Sequence, residues 1–172
     1  MSPSFTQLVS VALALAGSTL ASPTLFATRA SPSDIDSYLS AHNTVREAHG
    51  AADLVWNDTL ATAAQNWANG CVFEHSGGSL GPYGENLAAG TGDFPIASAV
   101  GAWAAESTQY DASNPQPSHF TQMVWKASTQ LGCAEAQCAI FDESVYGPTS
   151  YYVCEYYPAG NVIGQFPQNV QA

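Results

Sequence analysis

The run Ser118-His119-Phe120-Thr121-Gln122-Met123-Val124-Trp125-Lys126 places an imidazole, a hydroxyl and an amide among large apolar side chains. A second imidazole, His75, lies in Glu74-His75-Ser76, so each histidine adjoins a serine. Imidazoles of this kind can serve as general base for a hydroxyl nucleophile, or bind a metal that activates water. Alternation sends His119, Thr121 and Met123 to one face and Phe120, Gln122 and Val124 to the other, which reads as a half-buried strand carrying one satisfied histidine. Sequence neighbours on a strand point to opposite faces, so neither Ser76 nor Ser118 reads as a nucleophile activated by its histidine. No G-x-S-x-G elbow and no H-E-x-x-H helix occurs in the chain.

The remaining reactive residues are four cysteines, Cys71, Cys133, Cys138 and Cys154. An even count in a secreted chain reads as two disulfides, with three connectivities open. A thiolate zinc site is disfavoured, because Cys133 and Cys138 do not form a C-x2-C pair and no second pair answers them. The secreted context comes from the N-terminus. The apolar run Leu8 to Ala16, followed by small residues with Thr19 and Ala21 placed for cleavage before Ser22, reads as a signal peptide over residues 1–21. That run is too short to span a bilayer, so no stable membrane insertion is expected. A flexible segment over 22–32, one domain over 33–166 and a tail over 167–172 complete the expected layout, leaving roughly 140 to 150 residues for a single core.

Fourteen acidic residues against three Lys and Arg give a formal net charge of −11. Such a surface repels phosphate backbones, which excludes nucleic acid as a partner. Asn57-Asp58-Thr59 is a glycosylation sequon at Asn57, and the same residues suit a helix cap.

These side chains are positioned by helices first and strands last. Ser33 with Asp36 resembles a capping box, Ile35, Leu39 and Val45 recur at helical spacing, and Gly50 supplies a stop. Leu60, Ala63, Ala64, Trp67 and Ala68 repeat the pattern between Asn57-Asp58 and Gly70. The stretch Ser76 to Gly92 reads as loop, and Pro95 opens a third helix through Ile96, Val100, Trp103 and Ala104. The polar turn Asp111 to Ser118 ends it. Runs around Met123 to Trp125, Leu131 to Ala136 and Tyr151 to Tyr157 read as strands of an antiparallel sheet, which gives an α+β class.

Four ordered motifs carry a resemblance: His42-Asn43-Thr44-Val45-Arg46, Gly84-Glu85-Asn86-Leu87, the His119 run, and Tyr152-Val153-Cys154-Glu155-Tyr156-Tyr157-Pro158-Ala159-Gly160-Asn161-Val162. With Leu54 to Ala61, Ala64 to Ala68 and Glu74-His75-Ser76 between them, they resemble the CAP superfamily of cysteine-rich secretory, antigen 5 and pathogenesis-related class-one proteins, over nearly all of residues 33–166. The resemblance implies a three-layer α-β-α sandwich around a central antiparallel sheet. It also implies disulfides Cys71 with Cys138 and Cys133 with Cys154.

By the same resemblance His75, Glu85, Glu106 and His119 line a central cavity. There the two histidines could hold a divalent cation such as zinc, each ring oriented by a carboxylate. The competing reading is a satisfied polar network. Secreted fungal members of the family bind sterols, acetylated sterols or fatty acids, which implies a lipid-binding protein that exports or sequesters small hydrophobic compounds, with 4 Trp, 8 Tyr and 7 Phe to build an apolar groove. An extracellular module that binds a protein partner, as in defence or signalling, is the alternative, and a metal-dependent hydrolase the second. Residues 110–118 form a shorter loop than in sterol-binding relatives and keep only Tyr110 as an aromatic. A fatty-acid groove between the first and third helices would not depend on that loop. Glu155 follows Cys154 where a neutral or basic polar residue is usual.

Overall fold

Ser31 opens the first helix, α1 (Pro32–Ala48), in a computed structural model that describes residues 30–171. The expected signal peptide over 1–21, and residues 22–29 of the following segment, lie outside the described residues. The capping box uses Ser31 and Asp34 rather than Ser33 and Asp36: Ser31 Oγ accepts from the Asp34 amide, and Asp34 accepts from the Ser31 amide. Pro32 explains the shift, because a residue without N–H and with fixed φ is preorganised for the first helical position. The buried stripe of α1 is Tyr38, His42 and Arg46, one residue per turn.

Strand β1 (Val55–Trp56) leads into α2 (Asp58–Ala68), capped by Asn57 Oδ1 accepting from the Thr59 and Leu60 amides. The stretch expected to be loop contains strand β2 (Gly84–Thr91). Its Gly/Ala-rich sequence has little strand propensity, but pairing with the last strand along its whole length overrides that. Helix α3 (Ile96–Ala105) continues as a 3-10 turn, Glu106–Gln109.

The run read as a strand is instead a short helix, α4 (His119–Met123). Ser118 and Thr121 form a capping box, each side chain accepting the other's amide, and that local closure outweighs the alternation. Strand β3 (Gln130–Cys138), helix α5 (Glu143–Tyr146), strand β4 (Thr149–Tyr157) and helix α6 (Phe166–Asn169) follow.

The sheet order is β1-β3-β4-β2. β2, β4 and β3 are antiparallel, and only the two-residue β1 runs parallel, to β3. Tyr152, Cys154 and Tyr156 of β4 face the core shared with α1, α3 and α4, while Tyr151 and Val153 face α2, which gives three α-β-α layers. Disulfides join Cys71 to Cys138 and Cys133 to Cys154, the second between residues directly opposed on β3 and β4. Phe166 and Val170 pack into the core, so residues 167–170 close the domain instead of trailing from it.

Candidate functional site

Glu106 leaves the end of α3 pointing at the start of α4. Its Oε2 accepts the backbone N–H of His119 at 2.8 Å and of Phe120 at 3.3 Å, and its Oε1 accepts His119 Nδ1–H at 2.6 Å. A helix start leaves amides without intrahelical partners, and this carboxylate satisfies two of them while orienting the imidazole. The His119 ring lies nearly parallel to Trp103, with centroids 6.2 Å apart and planes 22° apart.

A second pair forms at β2, an edge strand of the sheet. His75, in the loop after α2, donates Nδ1–H to Glu85 Oε1 at 2.6 Å, and the Ser76 amide donates to the same oxygen at 2.9 Å. The His75 side chain is 61% exposed and that of Glu85 only 7%, so the ring is reachable while the carboxylate is fixed beneath it. In the neutral tautomer that donates Nδ1–H to the carboxylate, Nε2 of each ring is an acceptor, and neither Nε2 has a protein partner among the described residues.

All four residues line one cavity of about 630 Å³, together with Asn86, Gln109, Tyr110, Asp111, Asn114, Gln116, Ser118 and Asn161. The lining is mixed, with carboxylates, amides and imidazoles set among Tyr110, Pro117 and the carbon stems of the polar side chains. It differs from a wholly apolar groove, because hydrocarbon filling it throughout would strand hydrogen-bonding groups. It suits the polar end of a ligand. Neither Ser76 nor Ser118 is hydrogen-bonded to an imidazole: the Ser118 hydroxyl caps α4, and the Ser76 amide serves Glu85.

The other polar residues of the 118–126 run are structural. Thr121 donates to Asn161 Oδ1 at 2.6 Å, and Gln122 accepts the Gly160 amide and donates to Ser128. Behind the cavity lies a network that the sequence reading did not assemble. Burial pulls the His42 pKa down to about 4, so the ring is neutral. Its Nδ1–H donates to Tyr38 O, and Nε2 accepts from the Tyr156 hydroxyl, both at 2.8 Å. Asn86 Nδ2 then donates to Tyr156 Oη and to His119 O, tying α1, β4, β2 and α4 together. The signal for it was the helical spacing of Tyr38, His42 and Arg46, two polar residues on an otherwise apolar face.

A divalent cation would find two imidazole Nε2 atoms here. Among the described residues no group of three or more His, Cys, Asp or Glu is disposed to hold a metal, so water would supply the other ligands. Asn57, the sequon residue, caps α2 and donates its Nδ2 to Gln130 Oε1, where a glycan would be attached.

The model of the cysteine-rich secretory protein family, CAP, matches residues 39–156. The chain belongs to the CAP family. It is 40% identical over 161 residues to the fruiting body protein SC7 of Schizophyllum commune, covering 84% of this chain and 76% of that one. It is 44% identical over 136 residues to the secreted protein PRY1 of Candida albicans, covering 77% of this chain and 31% of that longer protein. The solved structure of BmVAL-1 superposes with a TM-score of 0.66 at 26% identity, covering 78% of this chain and 81% of that one, and it shares the CAP fold. This CAP domain is extracellular, in keeping with its two disulfides and with relatives named as secreted, fruiting body and pathogenesis-related proteins. No helix of the described residues is long and apolar enough to cross a membrane.

Proposed function

We propose that this CAP domain is a secreted binding protein that captures a small amphipathic ligand, a sterol above all, by its polar end, and that it is not a hydrolase. The observation that carries this reading is the pair of preset imidazole Nε2 acceptors facing one cavity. An acceptor of this kind matches a ligand hydroxyl. A fatty-acid carboxylate matches it poorly, because Glu85, Glu106 and Asp111 line the same space. The apolar body of a sterol would lie outside the cavity. The exposed side of α3, Ala97, Gly101, Ala102 and Ala105, carries no charge and runs up to Glu106. The seam between α1 and α3, by contrast, is filled by His42 against Trp103, with ring centroids 6.1 Å apart, which leaves a fatty-acid chain less room there. A cation on the two Nε2 atoms would supply a Lewis-acidic anchor for a ligand oxygen.

The test is equilibrium binding of cholesterol, cholesteryl acetate and palmitate to wild type and to His75→Ala/His119→Ala. Saturable cholesterol binding, weakened in the double variant and tighter than palmitate, supports the reading. Absence of saturable sterol binding sinks it. A protein partner is the second reading, favoured by Phe141, Val145 and Tyr146, which stand exposed between β3 and β4.

A further inference from the structure

Glu155 occupies the middle of β4, opposed by Glu85 on β2 and by Gly132 on β3. Opposed residues of antiparallel strands share a face with Cβ atoms about 4.5 to 5.5 Å apart, so the two carboxyls lie side by side on the α2 side of the sheet. Glu155 is 1% exposed. Each carboxyl keeps one buried oxygen without a donor, Glu85 Oε2 and Glu155 Oε1. Two orphaned acceptors on adjacent carboxyls are satisfied together by one proton between them.

The proton belongs on Glu155. Glu85 Oε1 already accepts from His75 Nδ1–H and the Ser76 amide, whereas among the described residues no N–H or hydroxyl donor reaches Glu155 Oε1. Burial first, then the charge of Glu85 and the hydrogen bond to it, push Glu155 up to about 9. The titratable groups around it do not compete. Burial raises the phenol of Tyr151 to about 12 and that of Tyr156 further, and over neighbouring Gly132 the nearest atoms of α2 are the backbone of Leu60 and Ala61 and the apolar Leu60 Cβ. Arg46 is committed to four backbone carbonyls. The other pair needs no such helper, since Glu106 Oε2 is already filled by two amides.

We propose that Glu155 is a positioning residue, a neutral carboxylic acid that donates to Glu85 Oε2 and completes a chain from Glu155 through Glu85 to His75, aiming His75 Nε2 into the cavity. Its functional weight rests on that cavity being the binding site, but the readouts need no ligand, so the two ideas fail separately. The experiment follows side-chain carboxyl ¹³C shifts with pH in the intact domain, together with His75 ring ¹⁵N shifts and the rate of diethyl pyrocarbonate modification at His75. The Glu155 carboxyl is expected to stay protonated at neutral pH and to titrate near pH 9. Glu155→Gln, which keeps a neutral donor, should preserve the His75 tautomer while abolishing the alkaline step. Glu155→Leu should free Glu85 and change the His75 modification rate by roughly fivefold, the scale of one hydrogen bond. Titration of wild-type Glu155 below about pH 6 overturns the proposal even if a variant fails to fold. Identical His75 behaviour in the Gln and Leu variants overturns it too.

Discussion

Replacing Arg46 by lysine, which sequence similarity would class as conservative, is expected to cost a large part of the stability. The Arg46 side chain is fully buried. Nε donates to Ala52 O at 2.7 Å, one terminal nitrogen to Met123 O and Trp125 O at 2.7 and 3.0 Å, and the other to Ser128 O at 2.9 Å. The planar fork thus closes the turn after α1 and the whole segment between α4 and β3. Burial pulls its pKa down to about 10, which leaves it charged at neutral pH. A lysine ammonium is a single point and cannot span acceptors on three sides. It would reach two of the four, and since Trp125 O also accepts the Ser128 amide, one or two carbonyls are left unpaired, at about 1 to 3 kcal/mol each, for a total of about 1 to 6 kcal/mol. Arg46→Met would orphan Ala52 O, Met123 O and Ser128 O, Trp125 O keeping the Ser128 amide, and cost more. Urea unfolding at pH 7 with the disulfides intact, followed by tryptophan fluorescence, measures both. A Lys variant within about 0.5 kcal/mol of wild type would refute the reasoning, since the fork geometry would then be irrelevant.

His42 predicts a pH limb. Its folded pKa lies near 4, below the ordinary histidine value, so the unfolded chain takes up the proton first as pH falls. The stability linked to His42 is fully present above about pH 6.5 and is lost at about 1.4 kcal/mol per unit toward pH 4. The stability gap between wild type and His42→Gln should therefore narrow from pH 7 to pH 5 in urea titrations, and parallel curves would contradict the assignment. Gly132→Ala places a Cβ against the backbone of Leu60 and Ala61, which must move as a unit with α2, and should cost about 1 to 3 kcal/mol by the same assay. An unchanged midpoint would mean α2 shifts freely over the sheet.

The helices were legible because their apolar spacing and caps are local properties. α2 begins at Asn57 as its sequence suggests, and α3 follows Pro95. Misreadings arose wherever non-local pairing or an unrecognised cap decided the outcome. β2 is a strand only because β4 lies beside it along eight residues. α4 is a helix because Ser118 and Thr121 cap each other, a pairing hidden inside a sequence that alternates like a strand. The cavity residues show the same division. The sequence separation between Glu85 and His75, or between Glu106 and His119, follows no ligand spacing, so only resemblance grouped them, and the structure brings each carboxylate to 2.6 Å from its histidine. The polarity of the cavity was not legible, since its amides come from four separate places, β2, the 3-10 turn after α3, the loop before α4 and the segment after β4. Glu155 stood out in the sequence only as an unusual residue after Cys154. Its burial against Glu85 depends on strand register, which no local pattern fixes.

The most direct test of the central claim is to follow the ring ¹⁵N resonances of His75 and His119 by NMR while cholesterol is titrated into the domain at pH 7. A ligand hydroxyl donated to either imidazole should shift its Nε2 resonance saturably and leave Nδ1 bonded to the carboxylate. Sterol binding that leaves both Nε2 resonances unmoved would place the ligand elsewhere and contradict the account.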